Sequence, residues 1–197
     1  MAAMTPSEKT YLKSTPFDLF KHRIPWLMLL MVSATFTGMI ITSFEDALSL
    51  LPVLTAFIPM LMDTGGNCGS QASVTVIRGI SLDEIEFSDL LRVIWKEIRV
   101  SVLCGVCLAI ACFAKIIVVD MLLLKSESVT YLVAFVVCAT MAVTVCLAKI
   151  VGSTLPLLAK KLGFDPAVMA SPIITTIVDF LSLLVYFAFA TAMLGIG

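Results

Sequence analysis

The chain has few charged residues and a single histidine. Of its 197 residues, 14% are charged and 60% are hydrophobic, and His22 is the one histidine. A soluble domain of this size does not need so much apolar surface, so the composition predicts a polytopic membrane protein. The net charge of −1 lacks the basic excess that nucleic-acid binding requires, so no nucleic-acid partner is expected. HExxH and GxSxG motifs and paired catalytic acids on one helix are also missing, so an enzyme is not expected.

The six cysteines do not form a metal-ligand pattern. Five lie in apolar runs, and Cys68 lies in a glycine-rich segment. Cys104 and Cys107 form a CxxC pair, but the sequence offers no second ligand pair beside it. We therefore interpret the cysteines as small apolar packing residues.

Five apolar runs are long enough to cross a bilayer, which takes about 20 residues. They cover residues 24–43, 50–77, 99–119, 129–150 and 169–194. A polar arm of residues 1–23 precedes this transmembrane domain of residues 24–197. In residues 81–98, apolar side chains recur at helical spacing among charged ones, with Ser81 and Glu84 as a capping box, which indicates an amphipathic helix at the interface. The predicted fold is an all-α membrane protein with five transmembrane helices and one interfacial amphipathic helix.

Lysine and arginine alternate between the predicted loops. The arm and the loops after the second and fourth runs are basic, whereas the loop after the first run and the C-terminus contain no Lys or Arg. The loop after the third run contains only Lys125. By the positive-inside rule, the N-terminus is expected in the cytoplasm and the C-terminus outside the cell, with the chain in the plasma membrane.

Asp179 is the one charged residue within the last apolar run. A carboxylate near the bilayer centre costs roughly 2.5–3.5 kcal/mol on insertion scales, so it should face protein or a water-filled path, where it can attract a cation. Helical spacing places Thr175, Ser182 and Tyr186 on the same face, and Ser171 one turn earlier. For the hydroxyl groups alone, a packing seam between helices is an equally good interpretation.

Polar residues and glycines interrupt the second apolar run at residues 59–71. Asp63, Asn67 and Gln71 follow one another at intervals of four, which is one face of a helix. The glycines are Gly65, Gly66 and Gly69. Either they let helices pack closely while the polar residues link them, or the helix opens here and its freed carbonyls line an ion path. We expect a mixture, with the glycines used for packing and Asp63 and Asn67 near one mouth of a path.

Two prolines lie between the last two apolar runs. Pro156 is expected to end or kink the fourth helix, and Asp165 with Pro166 is expected to start the fifth.

Two separated blocks of sequence carry a resemblance to a known family. Residues 59–71 read PMLMDTGGNCGSQ, and VIRGI at 76–80 and LDEI at 82–85 follow. This block resembles the second transmembrane segment of the MgtE family of magnesium channels. Residues 171–179, SPIITTIVD, with LVYF at 184–187, resemble its last segment. The resemblance extends over nearly the whole chain.

The resemblance implies a homodimer with a pore at the interface between protomers, lined mainly by the second and fifth spans. Asp179 would be the pore acid, and two copies of it would hold a hydrated Mg²⁺ as the transported and bound ion. Thr175, Thr176 and nearby carbonyls would supply further acceptors. The pore would also be lined by Asp63, Asn67, Ser171 and Ser182. Most members also carry a cytoplasmic acidic domain and a CBS pair. This chain has neither. It is therefore expected to be either the membrane domain of a longer protein, with such regulatory domains in the full-length protein, or a member of a short subgroup.

Two other functions stay open at this point. Asp179 would also suit a cation-coupled Mg²⁺ exchanger. The other possible function is not transport: the chain could be a non-conducting membrane scaffold subunit.

Overall fold

The computed structural model describes residues 14–169 and 171–196. Over these residues it is built from helices and turns, without strands. The α-helices are α1 (Pro16–Ser43), α2 (Glu45–Leu50), α3 (Val53–Ser81), α4 (Leu90–Lys115), α5 (Tyr131–Lys161), α6 (Pro166–Met169) and α7 (Ser171–Leu194). A 3₁₀ turn, Phe87–Asp89, leads into α4, and a π-helix, Ile116–Leu123, continues it.

Four helical segments in the described part of the chain are long and apolar enough to cross a membrane. They are Pro16–Ser43, Phe87–Leu123, Tyr131–Lys161 and Pro172–Leu194. These segments agree with the prediction of an all-α, multi-pass membrane protein. Helix α3 has 29 residues, but it is not among the four, because polar residues and glycines interrupt its apolar sequence.

Helix α5 lies at the centre of the bundle and packs against α3, α4 and α7. Its inward residues, such as Val137 and Val145, are fully buried, and they join Leu61 and Phe187 in one apolar core. Helix α1 packs mainly on α7 and leaves large apolar side chains such as Met31 exposed. Exposed apolar side chains suit a surface that contacts lipid, where helices keep all their backbone hydrogen bonds internal.

Helix α3 runs without a break through the glycine-rich segment. The alternative in which the helix opens here is therefore wrong, and the close contacts agree with the expected use of the glycines for packing. A Cβ atom on Gly152 of α5 would overlap the carbonyl oxygen of Gly69, so the two backbones touch. A Cβ on Gly65 would lie 2.7 Å from the Thr144 Cγ2 atom. Because α3 sits deep among its neighbours, only glycine fits at these contacts.

Pro156 does not end the fourth long helix. Helix α5 continues through Pro156, which is buried, as far as Lys161. The expectation that Pro156 could end the helix was wrong, because neighbouring helices support a proline-containing helix in a membrane bundle. Pro166 begins the short helix α6, whereas the fifth long helix, which Asp165 and Pro166 were expected to start, is α7 and begins at Ser171. The Asp165 carboxylate accepts a hydrogen bond of 2.9 Å from the Ala167 backbone N–H.

Two predicted helix starts also differ from the structure. Ser81 ends α3 and donates to the Ile77 carbonyl, so the capping box expected there is not formed, and a capping box at Glu86 and Asp89 starts the next helical segment instead. The described part of the predicted arm is mostly helical, because α1 begins at Pro16.

Candidate ion-binding cleft

A cleft of about 450 Å³ lies between α3 and α7. It brings together four of the predicted site residues, Asp63 and Asn67 from α3 with Thr175 and Asp179 from α7. The rest of the lining consists of Ile58, Pro59, Met62 and Gly66. Part of the polar face predicted for each helix therefore lines one shared space.

Gly66 sets how closely α7 approaches α3 beside the cleft. A Cβ atom at this position would lie 3.1 Å from the Thr175 Cγ2 atom and 3.9 Å from the Asp179 Oδ1 atom. One residue earlier, a Cβ on Gly65 would lie 2.9 Å from the Val178 Cγ1 atom. The two glycines thus allow the Asp179 carboxylate to lie against the α3 backbone.

The cleft carries two negative charges. Asp179 is half-buried and Asp63 is exposed. Within residues 14–169 and 171–196, no lysine, arginine or histidine forms an ion pair with either carboxylate. Like charges repel each other strongly where water is scarce, so a cation between or beside them would be favoured.

The polar lining consists of oxygen acceptors with one amide nitrogen. The Thr175 hydroxyl donates to the Pro172 carbonyl at 2.9 Å, which leaves lone pairs of its oxygen free to accept. Carboxylate, amide and hydroxyl oxygens are the ligands that Mg²⁺ prefers, and Mg²⁺ usually keeps several waters. Among the residues described, no three acidic, histidine or cysteine side chains cluster. The described residues of the chain therefore supply too few carboxylates to surround a bare ion, but their oxygen acceptors suit the waters of a hydrated one.

The other predicted site residues lie elsewhere. Thr176 lines a separate cleft between α1 and α7, and its hydroxyl donates to the Pro172 carbonyl at 2.9 Å. Ser182 is buried, donates to the Val178 carbonyl at 2.6 Å, and packs against Gly65. The Ser171 side chain lies outside the described residues.

Tyr186, the last residue of the predicted polar face of α7, is fully buried and donates to the Leu54 carbonyl at 3.0 Å. Together with buried Ser182 it forms the helix seam that was the alternative interpretation of these hydroxyl groups. The polar face of α7 is therefore divided, because Thr175 and Asp179 line the cleft whereas Ser182 and Tyr186 pack inward.

Sequence reasoning missed part of the surface next to the cleft. A groove of about 600 Å³ on the exposed side of α3 continues from Asn67 to Gln71 and Thr75. Thr75 follows Gln71 by four residues, as Gln71 follows Asn67, so the same interval would have found it. The apolar lining residues Ile58 and Met62 gave no such signal.

Comparison with known proteins identifies the family. The sequence model of the MgtE family, described as a divalent cation transporter, matches residues 58–189. The chain is 38% identical over 173 residues to the magnesium transporter MgtE of Bacillus subtilis (strain 168), covering 88% of this chain and 37% of that protein. It is 30% identical over 194 residues to the magnesium transporter MgtE of Thermus thermophilus, covering 98% of this chain and 41% of that protein.

The magnesium transporter MgtE of Enterococcus faecalis is 31% identical over 176 residues, covering 89% of this chain and 37% of that protein. The chain therefore spans about two-fifths of the length of these relatives. The family match extends over most of the chain and includes both motifs that line the cleft. The chain belongs to the MgtE family of divalent cation transporters.

Proposed function

We propose that this chain forms the membrane part of a Mg²⁺ channel in which the ion passes between two copies of the chain. The observation that carries the proposal is the cleft where Asp63 and Asp179, without ion-pair partners in the described residues, lie together on a bundle of membrane helices. The names of the relatives as magnesium transporters supply the choice of ion.

Helix α3 is the fifth span in this proposal. Its 29 residues are roughly 43 Å long at about 1.5 Å per residue, which exceeds the hydrocarbon thickness of a bilayer. It packs against two apolar spans, α5 and α7, which supports a position inside the membrane layer. The predicted count of five transmembrane helices is then complete.

The exposed face of α3 supports a homodimer. Asp63, Asn67 and Gln71 are all exposed on this face. A carboxylate and two amides cannot face acyl chains without a cost of several kcal/mol. A second copy related by a two-fold axis would cover this face and enclose a polar path, with lipid on the outer apolar surfaces.

In the proposed mechanism, the carboxylates attract Mg²⁺ through its bound waters and do not coordinate it directly. Two Asp179 carboxylates, one from each protomer, hold Mg²⁺ through its bound waters, and Thr175 accepts further hydrogen bonds from those waters. Asp63 adds negative charge at the same level of the path. Outer-sphere contacts are weak enough to release the ion, which conduction requires. Two or more negative charges favour a divalent ion over a monovalent one.

The remaining parts of the proposal concern topology. The alternation of basic loops favours a cytoplasmic N-terminus and an extracellular C-terminus in the plasma membrane. Since the relatives are more than twice as long as the matched region, regulatory domains in the cytoplasm belong to the proposed full-length protein.

The test is Mg²⁺ flux into vesicles that contain the purified chain. Asp179→Ala is expected to abolish selective Mg²⁺ flux while the dimer stays folded, whereas the control Thr176→Val, whose side chain lines another cleft, is expected to retain flux. Wild-type flux in Asp179→Ala would contradict the proposal. Flux that requires an H⁺ or Na⁺ gradient would identify a coupled exchanger, and no flux from the wild-type chain would point to a scaffold subunit.

A further inference from the structure

A buried ion pair joins α4 to α5 away from the cleft. Lys149 of α5 is 5% exposed, and its Nζ atom lies 3.9 Å from Oε2 of Glu97 in α4, whose side chain is 12% exposed. In the described part of the chain, Glu97 Oε2 has no hydrogen-bond partner. The contact between the two helices here is therefore one of charge, and each charge depends on the other for compensation.

The same turn of α5 also touches α3. Gly152 lies three residues after Lys149, and its Cα approaches the Gly69 carbonyl so closely that a Cβ would overlap it. From the other side, a Cβ on Gly69 would lie 3.1 Å from the Ala148 carbonyl oxygen. Residues 148–152 of α5 are thus held by charge to α4 and by backbone contact to α3.

Backbone contact leaves little freedom between α3 and α5. A displacement of residues 148–152 would carry Gly69 with it, because two backbones in contact cannot give way as a flexible side chain can. Gly69 lies two residues after Asn67 and three after Gly66, which lines the cleft against Thr175. Any movement of Lys149 relative to Glu97 is therefore passed to the α3 segment that lines the cleft.

We propose that Lys149 and Glu97 are positioning residues for the ion path. Their opposite charges hold residues 148–152 of α5 against α4, and the backbone of those residues sets the position of Gly66 and Asn67 in the cleft. The inference rests on the proposed function of the cleft as a Mg²⁺ path. Neither residue lines the cleft, so both would act through α5 and α3.

The test compares a neutral pair with a reversed pair. The first variant is Lys149→Met with Glu97→Gln, which removes both charges while keeping similar side-chain lengths. The second is Lys149→Glu with Glu97→Lys. The matched control is Lys115→Met, which removes an ion pair with Asp120 at the other end of α4. Dimer content, thermal stability, Mg²⁺ flux per folded dimer and the half-saturating Mg²⁺ concentration are measured for each.

The neutral pair is expected to keep the thermal stability of the wild type, because a buried pair replaced on both sides leaves no uncompensated charge. Its Mg²⁺ flux per dimer is expected to fall by about fivefold, the size of effect that residues coupled to a site through packing can have. The reversed pair is expected to recover flux to within about twofold of wild type, since the attraction is restored. The control is expected to retain flux.

Wild-type flux and half-saturation in the neutral pair would overturn the inference. A neutral pair that forms no folded dimer would overturn it too, because the ion pair would then serve folding and not positioning. A reversed pair that folds but does not recover Mg²⁺ flux would also overturn the inference. Asp179→Ala in the same vesicles separates the two proposals. If Asp179→Ala retains Mg²⁺ flux, the proposed ion path is refuted. If Asp179→Ala is inactive while the neutral pair has wild-type flux, only the positioning role is refuted.

Discussion

Gly152→Ala tests whether the contact between α3 and α5 holds the bundle together. The new Cβ would lie 2.8 Å from the carbonyl carbon of Gly69 and 2.9 Å from its Cα, and it would overlap the carbonyl oxygen. All three atoms belong to backbone, so no side chain can rotate away. The helices must separate, which also opens packing around Gly69.

The size of the effect follows from two opposing terms. Overpacking of a tight contact costs about 1–3 kcal/mol, and the rigid partner here puts Gly152→Ala near 3 kcal/mol. Replacing glycine by alanine inside a helix stabilises the helix by about 1 kcal/mol, because alanine has the higher helix propensity. The net loss in the free energy of unfolding is therefore about 2 kcal/mol. For a chain of this length, each kcal/mol shifts Tm by about 2–4 °C, so Tm should fall by about 4–8 °C.

The assay is a thermal melt of the purified chain in detergent, with two glycine controls. Gly105→Ala places its Cβ 3.3 Å from the Ala142 carbonyl oxygen, and the small overlap should roughly cancel the gain in propensity. Gly38→Ala meets no atom within 4 Å, so its Tm should stay or rise slightly. Tm is expected to be highest for Gly38→Ala, intermediate for Gly105→Ala and lowest for Gly152→Ala. A Tm for Gly152→Ala equal to that of Gly38→Ala would refute the contact between α3 and α5.

Further predictions concern single side chains. Tyr186→Phe should lower the free energy of unfolding by about 1 kcal/mol in the same melts, because it removes a buried hydrogen bond to the Leu54 carbonyl, and an unchanged Tm would argue against that bond. Thr175→Val should raise the half-saturating Mg²⁺ concentration for flux into vesicles, because it removes an acceptor from the cleft. Equal effects of Thr175→Val and Thr176→Val would contradict the assignment of the two threonines to different clefts. Gln71→Leu should reduce flux at saturating Mg²⁺ by placing an apolar group on the polar face of α3, and normal flux would remove that face from the path.

The main elements of the cleft could be predicted from residue spacing. An acid in an apolar span and polar residues repeating every four positions led to Asp179, Thr175, Asp63 and Asn67, and the structure places all four in one cleft. Spacing placed Thr175, and not Thr176, on the face of Asp179. Thr176 was added only as a further acceptor in the channel mechanism, and it lines another cleft because adjacent residues on a helix point about 100° apart.

The helix ends were harder to predict for a different reason. Glycine and proline weaken isolated helices, so the sequence left a break near Gly65 open and predicted an end or a kink at Pro156. In the bundle, the same glycines permit backbone contact with α5 and α7, and α5 continues through a buried Pro156. Local propensity therefore misjudged the positions where packing between helices supplies most of the stability.

The position of a bound ion tests the central claim most directly. A cryo-EM map of the chain in lipid nanodiscs at high Mg²⁺ should show a two-fold dimer with density on its axis, flanked by the two Asp179 carboxylates at a separation that leaves room for bound waters. A map with Asp179 directed toward lipid, or with its carboxylate joined to an ammonium group and no density on the axis, would contradict the account.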